Sequence, residues 1–492
     1  MKSRIPYYFM ISLAVACARP QGTTLEAEPD IYPDYKDITI PSNIAPLNFL
    51  IEEEEATKYI TLFEAGDKQF TIRGQKVCIP LRKWRDLTSQ QEIKVTVYVK
   101  KGDWYSLKPF HFHVTDEIDP YITYRLIPPS FQSYNRLSIN QRNITNFKEK
   151  VIYANSMGSA NDVEQCVNCH NFRNWRTDSM QFHIRLHNAG TIYYMNGKLS
   201  KLNLKTDSTI SAAVYPSWHP THDYIAYSNN RTFQNIHTNH TDRMNAFDEV
   251  SDLVLYDINK NSVSVIENQP DEYECHPIWT PDGKTLYYVS AHVDNLEQFM
   301  RNGGPSTGNK SLKYNLYSKS FNPENKMWGK SRLYFDAAAV DSSLTWPRIS
   351  PDGTKLLACL SSYGVFPPYQ SEAELVMFDI ENGTHRYLDE INSDYAESYH
   401  SWSSNGRWIV FSTRREDGIY TRIYLSHMDK DGHFTKPFPV PQKDPSFSRK
   451  FMYSFNIPEF TIEPIKVSAR KLASFANSTE AGKVSFDQKR GE

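Results

Sequence analysis

His276-Pro277-Ile278-Trp279-Thr280-Pro281-Asp282-Gly283 is the stretch that decides the fold, because three other strings repeat its design. They are Tyr215-Pro-Ser-Trp-His-Pro220, Trp346-Pro-Arg-Ile-Ser-Pro-Asp-Gly353 and Tyr399-His-Ser-Trp-Ser-Ser-Asn-Gly406. Pro-Asp-Gly makes a tight turn between antiparallel strands, with glycine taking the φ > 0 position. An apolar strand follows each string: Tyr224–Ser228, Thr285–Ser290, Lys355–Leu360 and Trp408–Ser412. A further strand comes after most of them, as in Leu253-Val-Leu-Tyr-Asp-Ile and Leu375-Val-Met-Phe-Asp-Ile. The tryptophan packs between neighbouring sheets, so each unit buries its faces only against adjacent units, which is the logic of a β-propeller. The Trp or Ile positions 218, 279, 349 and 402 are spaced by 61, 70 and 53 residues. These intervals exceed a minimal blade and imply long loops or an intervening blade. Six blades over residues 190–465 are expected, with five the alternative. Thr191–Met195 is expected to close the ring beside Tyr453–Phe460.

The rest of the 492 residues also leans toward β structure, with 13% aromatic residues and 31 Tyr. Upstream, Ile93, Val95, Val97 and Val99 alternate with polar residues, and Phe110, Phe112 and Val114 alternate with His111 and His113. Both are period-2 strands with one buried face. With Leu47–Ile51, Tyr59–Phe63 and Phe70–Arg73 they predict a β-sandwich-like domain over residues 38–118. His111 and His113 share a strand face and have the spacing to share a metal, but two exposed histidines are the expectation. Residues 119–189 lack clear alternation and read as an irregular connector. Residues 466–492 read as a tail. The overall expectation is a mainly β chain.

Inside that connector stands Cys166-Val167-Asn168-Cys169-His170, the C-x-x-C-H string of covalent c-type haem. Thiols at i and i+3 reach two porphyrin vinyl groups, and the next histidine can bind the iron. Composition alone yields this string about 0.002 times per chain of this kind. The competing readings are a zinc half-site and a buried CxxC pair with no cofactor. The haem reading makes Cys166 and Cys169 the thioether residues, His170 the proximal ligand, and the cofactor one covalent haem c. Arg173, Arg176 and Arg185 have the bidentate chemistry for haem propionates, and Phe172 and Trp175 are placed to pack on a porphyrin. For the sixth iron position the residues leave alternatives. On an extended run Met180 shares a face with Phe182 and Ile184, while His183 lies opposite, so the two are alternatives rather than partners. His187, His276, His400, Met157 or an open site complete the set. Methionine would raise the potential relative to bis-histidine, and an open site would permit small-molecule chemistry.

The N-terminus bears on compartment. Lys2 and Arg4 precede an apolar run from Ile5 to Ala16, too short to span a bilayer. It ends Leu13-Ala14-Val15-Ala16-Cys17, which resembles a bacterial lipoprotein signal (residues 1–16) with lipid on Cys17, although Leu13 lies one place further from the cysteine than in the usual pattern. An ordinary secretory signal is the alternative, and either exports the chain. Residues 17–37, polar and Pro-rich, read as a tether from the anchor. The expected location is the periplasm or outer membrane, with membrane contact through the lipid alone. Cys78, Cys275 and Cys359 remain, enough for one disulfide and better read as free thiols. The net charge of −2 provides no global field for nucleic acid.

The four propeller strings resemble the repeats of TolB-like propellers. The order of export signal, small β domain, CxxCH and propeller resembles a group of exported Bacteroidetes lipoproteins that combine a single-haem cytochrome with such a propeller. Members carry a Phe-His-x-Arg string after CxxCH, matched here by Phe182-His183-Ile184-Arg185, and the resemblance thus implies His183 as distal ligand with Met180 the alternative. The expected function is electron transfer to a redox partner protein or envelope component. The alternative is a TolB-like binding scaffold in which haem is structural or redox-sensing, and a haem enzyme acting at an open iron is a third class. Gly304-Pro305-Ser306-Thr307-Gly308 matches G-x-S-x-G, but its Gly- and Asn-rich surroundings lack the strand and helix of a nucleophile elbow, so no hydrolase is expected.

Overall fold

The computed structural model describes residues 20, 22–129, 136–157, 165–236, 244–302 and 311–487. Cys17 and the Gly304–Gly308 string lie outside them. The protein is mainly β, and its C-terminal part is a β-propeller built from six sheets.

Five sheets follow the chain in order. Their innermost strands are Gln165–Arg173, Val214–Trp218, Glu272–Trp279, Ser343–Ile349 and Glu397–Trp402, each paired antiparallel to the next strand in sequence. The sixth sheet closes the ring from both ends of the chain. Its innermost strand, Ser454–Thr461, pairs with Tyr121–Ile127, followed outward by Ser138–Asn143 and Glu149–Ala154. The closing partner of Tyr453–Phe460 is therefore Tyr121–Ile127. Thr191–Met195 lies in the first sheet, between Arg176–Leu186 and Lys198–Asn203.

One local device repeats around the axis. Every innermost strand carries a single left-handed residue: Cys169, Tyr215, His276, Trp346, Tyr399 and Ile457, with φ between 46° and 57°. The strand pairing slips by one residue at each of them, as a β-bulge requires. Three positions later stand Phe172, Trp218, Trp279, Ile349, Trp402 and Phe460. Cys169-His170-Asn171-Phe172 and Ile457-Pro458-Glu459-Phe460 are thus the first and sixth copies of the string that opens with Tyr215 or His276.

These facts correct three boundaries. Residues 119–189 are not an irregular connector: strands from Tyr121 to Ala154 complete the sixth sheet and Gln165–Leu186 begins the first. Alternation is missing there because sheet faces are covered on both sides, which removes the polar face that would reveal a period of two. Ile139, Ile152, Val167, Phe182, Ile184 and Ile192 form one core between these sheets. The tail is ordered too. Helix Ala469–Ser478 packs Leu472, Ala473 and Ala476 on that core. Gly482–Lys483 and Ser485–Phe486 then extend the outer edges of the first and second sheets. Pairing also begins within the expected tether, where Thr23–Thr24 joins Asp103–Ser106 and Ile31–Tyr32 joins Phe49–Ile51.

The N-terminal domain packs a seven-stranded sheet and a three-stranded sheet around Phe49, Phe63, Trp84, Val95 and Phe112. That core continues into Trp408, Val410 and Leu425 of the fifth sheet. His111 and His113 stack 6.4 Å apart and face Asp37 and Glu92 separately, so they form no shared site.

The turn glycines yield a stability prediction. Gly283 has φ +70°, and a Cβ there would stand 2.4 Å from Nε2 of the fully buried His219. Gly383 has φ +67° and nothing within 4 Å of the same position. Gly383→Ala is expected to cost about 1 kcal/mol for the left-handed backbone alone. Gly283→Ala should cost on the order of 1–3 kcal/mol more, because the imidazole is packed against Trp279. Urea midpoints of the two variants measure the difference.

Candidate functional site

The left-handed residues meet on the propeller axis. Tyr215, His276, Trp346 and Tyr399 stack edge to face, with ring centroids 4.6–5.6 Å apart in the contacting pairs. With Ile457 they plug the central channel and leave a cavity on each side.

The cavity at the start of the innermost strands has a volume of about 150 Å³. Cys166, Asn168 and Cys169 all line it, because the bulge at Cys169 turns two consecutive side chains inward. Its walls include Tyr215, Tyr369, Tyr399, Phe366 and Ile457, and two arginines enter it, Arg125 and Arg185. Arg125 donates to Asn456 Oδ1 at 3.1 Å and to the Val167 carbonyl at 3.4 Å, while its Nε has no partner among the described residues. Among the described residues neither arginine has a carboxylate within ion-pair distance. Burial raises the Cys169 thiol pKa, and the two guanidinium charges pull against that rise. Arg125 was not singled out from the sequence. It stands in Tyr121-Ile-Thr-Tyr-Arg-Leu-Ile127, whose membership of the sixth sheet has no local signal.

His170 does not line this cavity. Strand geometry turns its imidazole toward the sixth sheet, with Nε2 3.9 Å from Glu459 Oε2. The ring is buried, neither nitrogen has a hydrogen-bond partner among the described residues, and burial lowers its pKa to about 4. His183, expected opposite the iron, sits one strand further from the axis in register with Asn168. Its Nδ1 lies 3.0 Å from Thr191 Oγ1, and burial holds it neutral with a pKa of about 3. Met180 packs in the core between the first and sixth sheets. Neither side chain reaches the cavity. Arg173 is also elsewhere: it donates to Asp223 Oδ1 at 3.0 Å and to the His222 carbonyl at 3.0 Å in the second sheet. Arg176 pairs with Asp178, and Phe172 and Trp175 line the cleft at the other end of the channel. Of the residues expected at a haem, the structure brings together Cys166, Cys169 and Arg185.

The donor set suits covalent attachment of a tetrapyrrole in part. Two thiols share a cavity with aromatic walls and two guanidinium groups that meet no carboxylate among the described residues, which is the chemistry of vinyl attachment and propionate pairing. At about 150 Å³ the enclosed space takes only an edge of such a group, and the imidazole of the motif is outside it. Among the described residues no three His, Cys, Asp or Glu side chains converge as a metal site, and none supplements the cysteines as a zinc set. Among them no helix is long and apolar enough to cross a membrane.

No protein-family model matches the chain, and no curated protein matches it. Solved structures similar in fold include a prolyl endopeptidase, with 11% identity, a TM-score of 0.37, and coverage of 66% of this chain and 42% of that one. The tricorn protease matches with 10% identity and a TM-score of 0.35 over 75% of this chain and 34% of its own. The GH74 enzyme of Niastella koreensis matches with 8% identity and a TM-score of 0.39 over 63% and 44%. The chain spans less than half the length of each of these proteins, and the likeness is one of fold.

Proposed function

We propose that this chain is an exported, lipid-anchored c-type cytochrome in which a propeller carries one covalent haem and passes electrons to a partner in the cell envelope. The observation that carries this reading is the convergence of Cys166 and Cys169 on one aromatic-walled cavity with Arg125 and Arg185. Bound there, haem would supply a one-electron carrier. The protein's own part is attachment, charge and exclusion of water. Cys166 and Cys169 are the proposed thioether positions. Arg185 and Arg125 offer charge to two carboxylates, with no carboxylate among the described residues to displace. Tyr215, Tyr399 and Phe366 present apolar ring faces and keep bulk water from the channel axis. His170 remains the proposed iron ligand, and to reach an iron its ring would turn away from Glu459 and from the Thr123 and Ile457 backbone beside it. A second, weaker support is the amino terminus, whose apolar run and Cys17 fit export to the compartment where haem is attached.

The test is a pyridine haemochrome assay on the full-length protein made together with a c-type maturation system. Covalent haem at about one equivalent is expected, surviving acid–acetone extraction. Protein that is folded and thiol-free of haem after such maturation overturns the proposal and leaves a propeller scaffold.

A further inference from the structure

The other side of the axial plug opens into a cleft of about 430 Å³ at the end where the innermost strands finish. It is separate from the cysteine cavity and has a chemistry of its own. The second residue after each left-handed position points into it, so six equivalent positions form a ring: Asn171, Ser217, Ile278, Arg348, Ser401 and Glu459. Beyond the ring stand Trp175, Trp218, Trp279 and Trp402. Two of the six ring positions are formally charged, one of each sign.

Neither charge meets an opposite charge directly: the nearest ionisable neighbour of Glu459 is His170, whose Nε2 lies 3.9 Å from Oε2 and which burial keeps neutral. Arg348 donates from Nη1 to the Pro347 carbonyl at 2.9 Å, and its guanidinium lies 4.5 Å from the Trp346 ring. Among the described residues no carboxylate lies within 4.0 Å of it, Glu459 included. Glu459 is 9% exposed. Its Oε1 accepts from Asn171 Nδ2 at 2.7 Å, while Oε2 has no hydrogen-bond partner among the described residues. A carboxylate and a guanidinium held apart inside a half-enclosed cleft carry the desolvation cost of burial without the return of contact. A ligand with one group of each sign recovers both interactions at once. A ligand with a single charge leaves the other protein group uncompensated.

We infer that this cleft binds a small zwitterion of the amino-acid or dipeptide class, with its carboxylate on Arg348, its ammonium on Glu459 and an apolar side chain against the tryptophans. A planar guanidinium matches a carboxylate in a bidentate way. Indole faces accept both an apolar side chain and the flank of an ammonium group. The volume lies in the range of small-molecule pockets. This binding site does not involve the cysteines, and it meets the haem proposal at one place, where Glu459 Oε2 lies 3.9 Å from His170 Nε2.

The experiment titrates the full chain, by tryptophan fluorescence and calorimetry, with four probes of similar bulk. L-phenylalanine and alanyl-phenylalanine carry both charges, N-acetylphenylalanine only the carboxylate, and phenylalanine amide only the ammonium. At least one zwitterion is expected to bind, and each singly charged analogue to bind about tenfold or more weakly. Arg348→Gln should abolish the preference over the amide, and Glu459→Gln the preference over the N-acetyl compound, with thermal melts confirming that both variants fold. The inference is overturned if neither zwitterion binds the wild type. It is overturned equally if a singly charged analogue binds as tightly, or if both variants keep wild-type selectivity. The analogue series on the wild type decides the question even if a variant does not fold.

Discussion

A chain ending at Tyr453 is expected not to fold into the propeller. Removing residues 454–492 takes away the innermost strand of the sixth sheet, Ser454–Thr461, and exposes the edge of Tyr121–Ile127 that pairs with it. The buried side chains lost include Phe455, Ile457, Phe460, Ile465, Val467 and Leu472. At roughly 1.5–3 kcal/mol for each large apolar side chain, their burial amounts to about 9–18 kcal/mol. That is comparable to the whole stability of a typical domain, about 5–15 kcal/mol. The strand also anchors neighbours: Thr421 Oγ1 and Ser412 Oγ both donate to the Phe455 carbonyl. An open ring leaves long apolar edges, which favours aggregation. Ending the chain at Thr479 instead removes only short edge strands, Gly482–Lys483 and Ser485–Phe486, and should lower the urea midpoint only modestly. Far-UV circular dichroism and urea unfolding of the two truncations measure the contrast. A cooperative transition in the shorter chain would show that the ring does not need its closure.

The same closure explains what was legible in the sequence. Four of the six repeated strings announce themselves because a hairpin follows at once, with Pro-Asp-Gly, Ser-Asn-Gly or its His219-Pro220 counterpart as the turn. The sixth copy, Ile457-Pro458-Glu459-Phe460, has no hairpin after it, since its partner strand lies more than 300 residues earlier. A pairing of that span leaves no local trace. The first copy is hidden differently. Cys169 occupies the position held elsewhere by Tyr215, His276, Trp346 or Tyr399, and His170 the position of Pro216, Pro277, Pro347 and His400. Its turn is the short Asn174-Trp175 pair, both left-handed, instead of Pro-Asp-Gly. The C-x-x-C-H string and a propeller strand are thus one stretch of chain.

That double use also explains why the site was read only in part. Spacing i, i+3, i+4 gathers two thiols and an imidazole when the backbone is helical. On a strand with one bulge it gathers the two thiols and sends the imidazole through to the neighbouring sheet. Arg173 and Arg185, alike as candidates in the sequence, separate because one stands at the far end of the innermost strand and the other opposite Cys166.

The second large effect concerns those thiols. Cys166→Ala with Cys169→Ala is expected to give a folded protein that carries no covalent haem after maturation, a loss from about one equivalent to none. Both cysteines line the cavity and are part-buried as residues, so removing the sulfurs enlarges an existing cavity instead of opening a sealed void and should cost less than about 1.5 kcal/mol each. Loss of haem with an unchanged urea midpoint would separate attachment from stability. His170→Ala then resolves the imidazole. Thioether formation needs only the thiols, so the variant should keep covalent haem while losing the low-spin spectrum that an imidazole ligand imposes. Its stability should fall by about 2–4 kcal/mol, since a buried ring packed beside Phe172 is replaced by a methyl group and leaves a cavity. Covalent haem surviving in the double cysteine variant would remove the attachment claim altogether. An unchanged spectrum in His170→Ala would instead keep the attachment and leave the imidazole where the strand places it, beside Glu459.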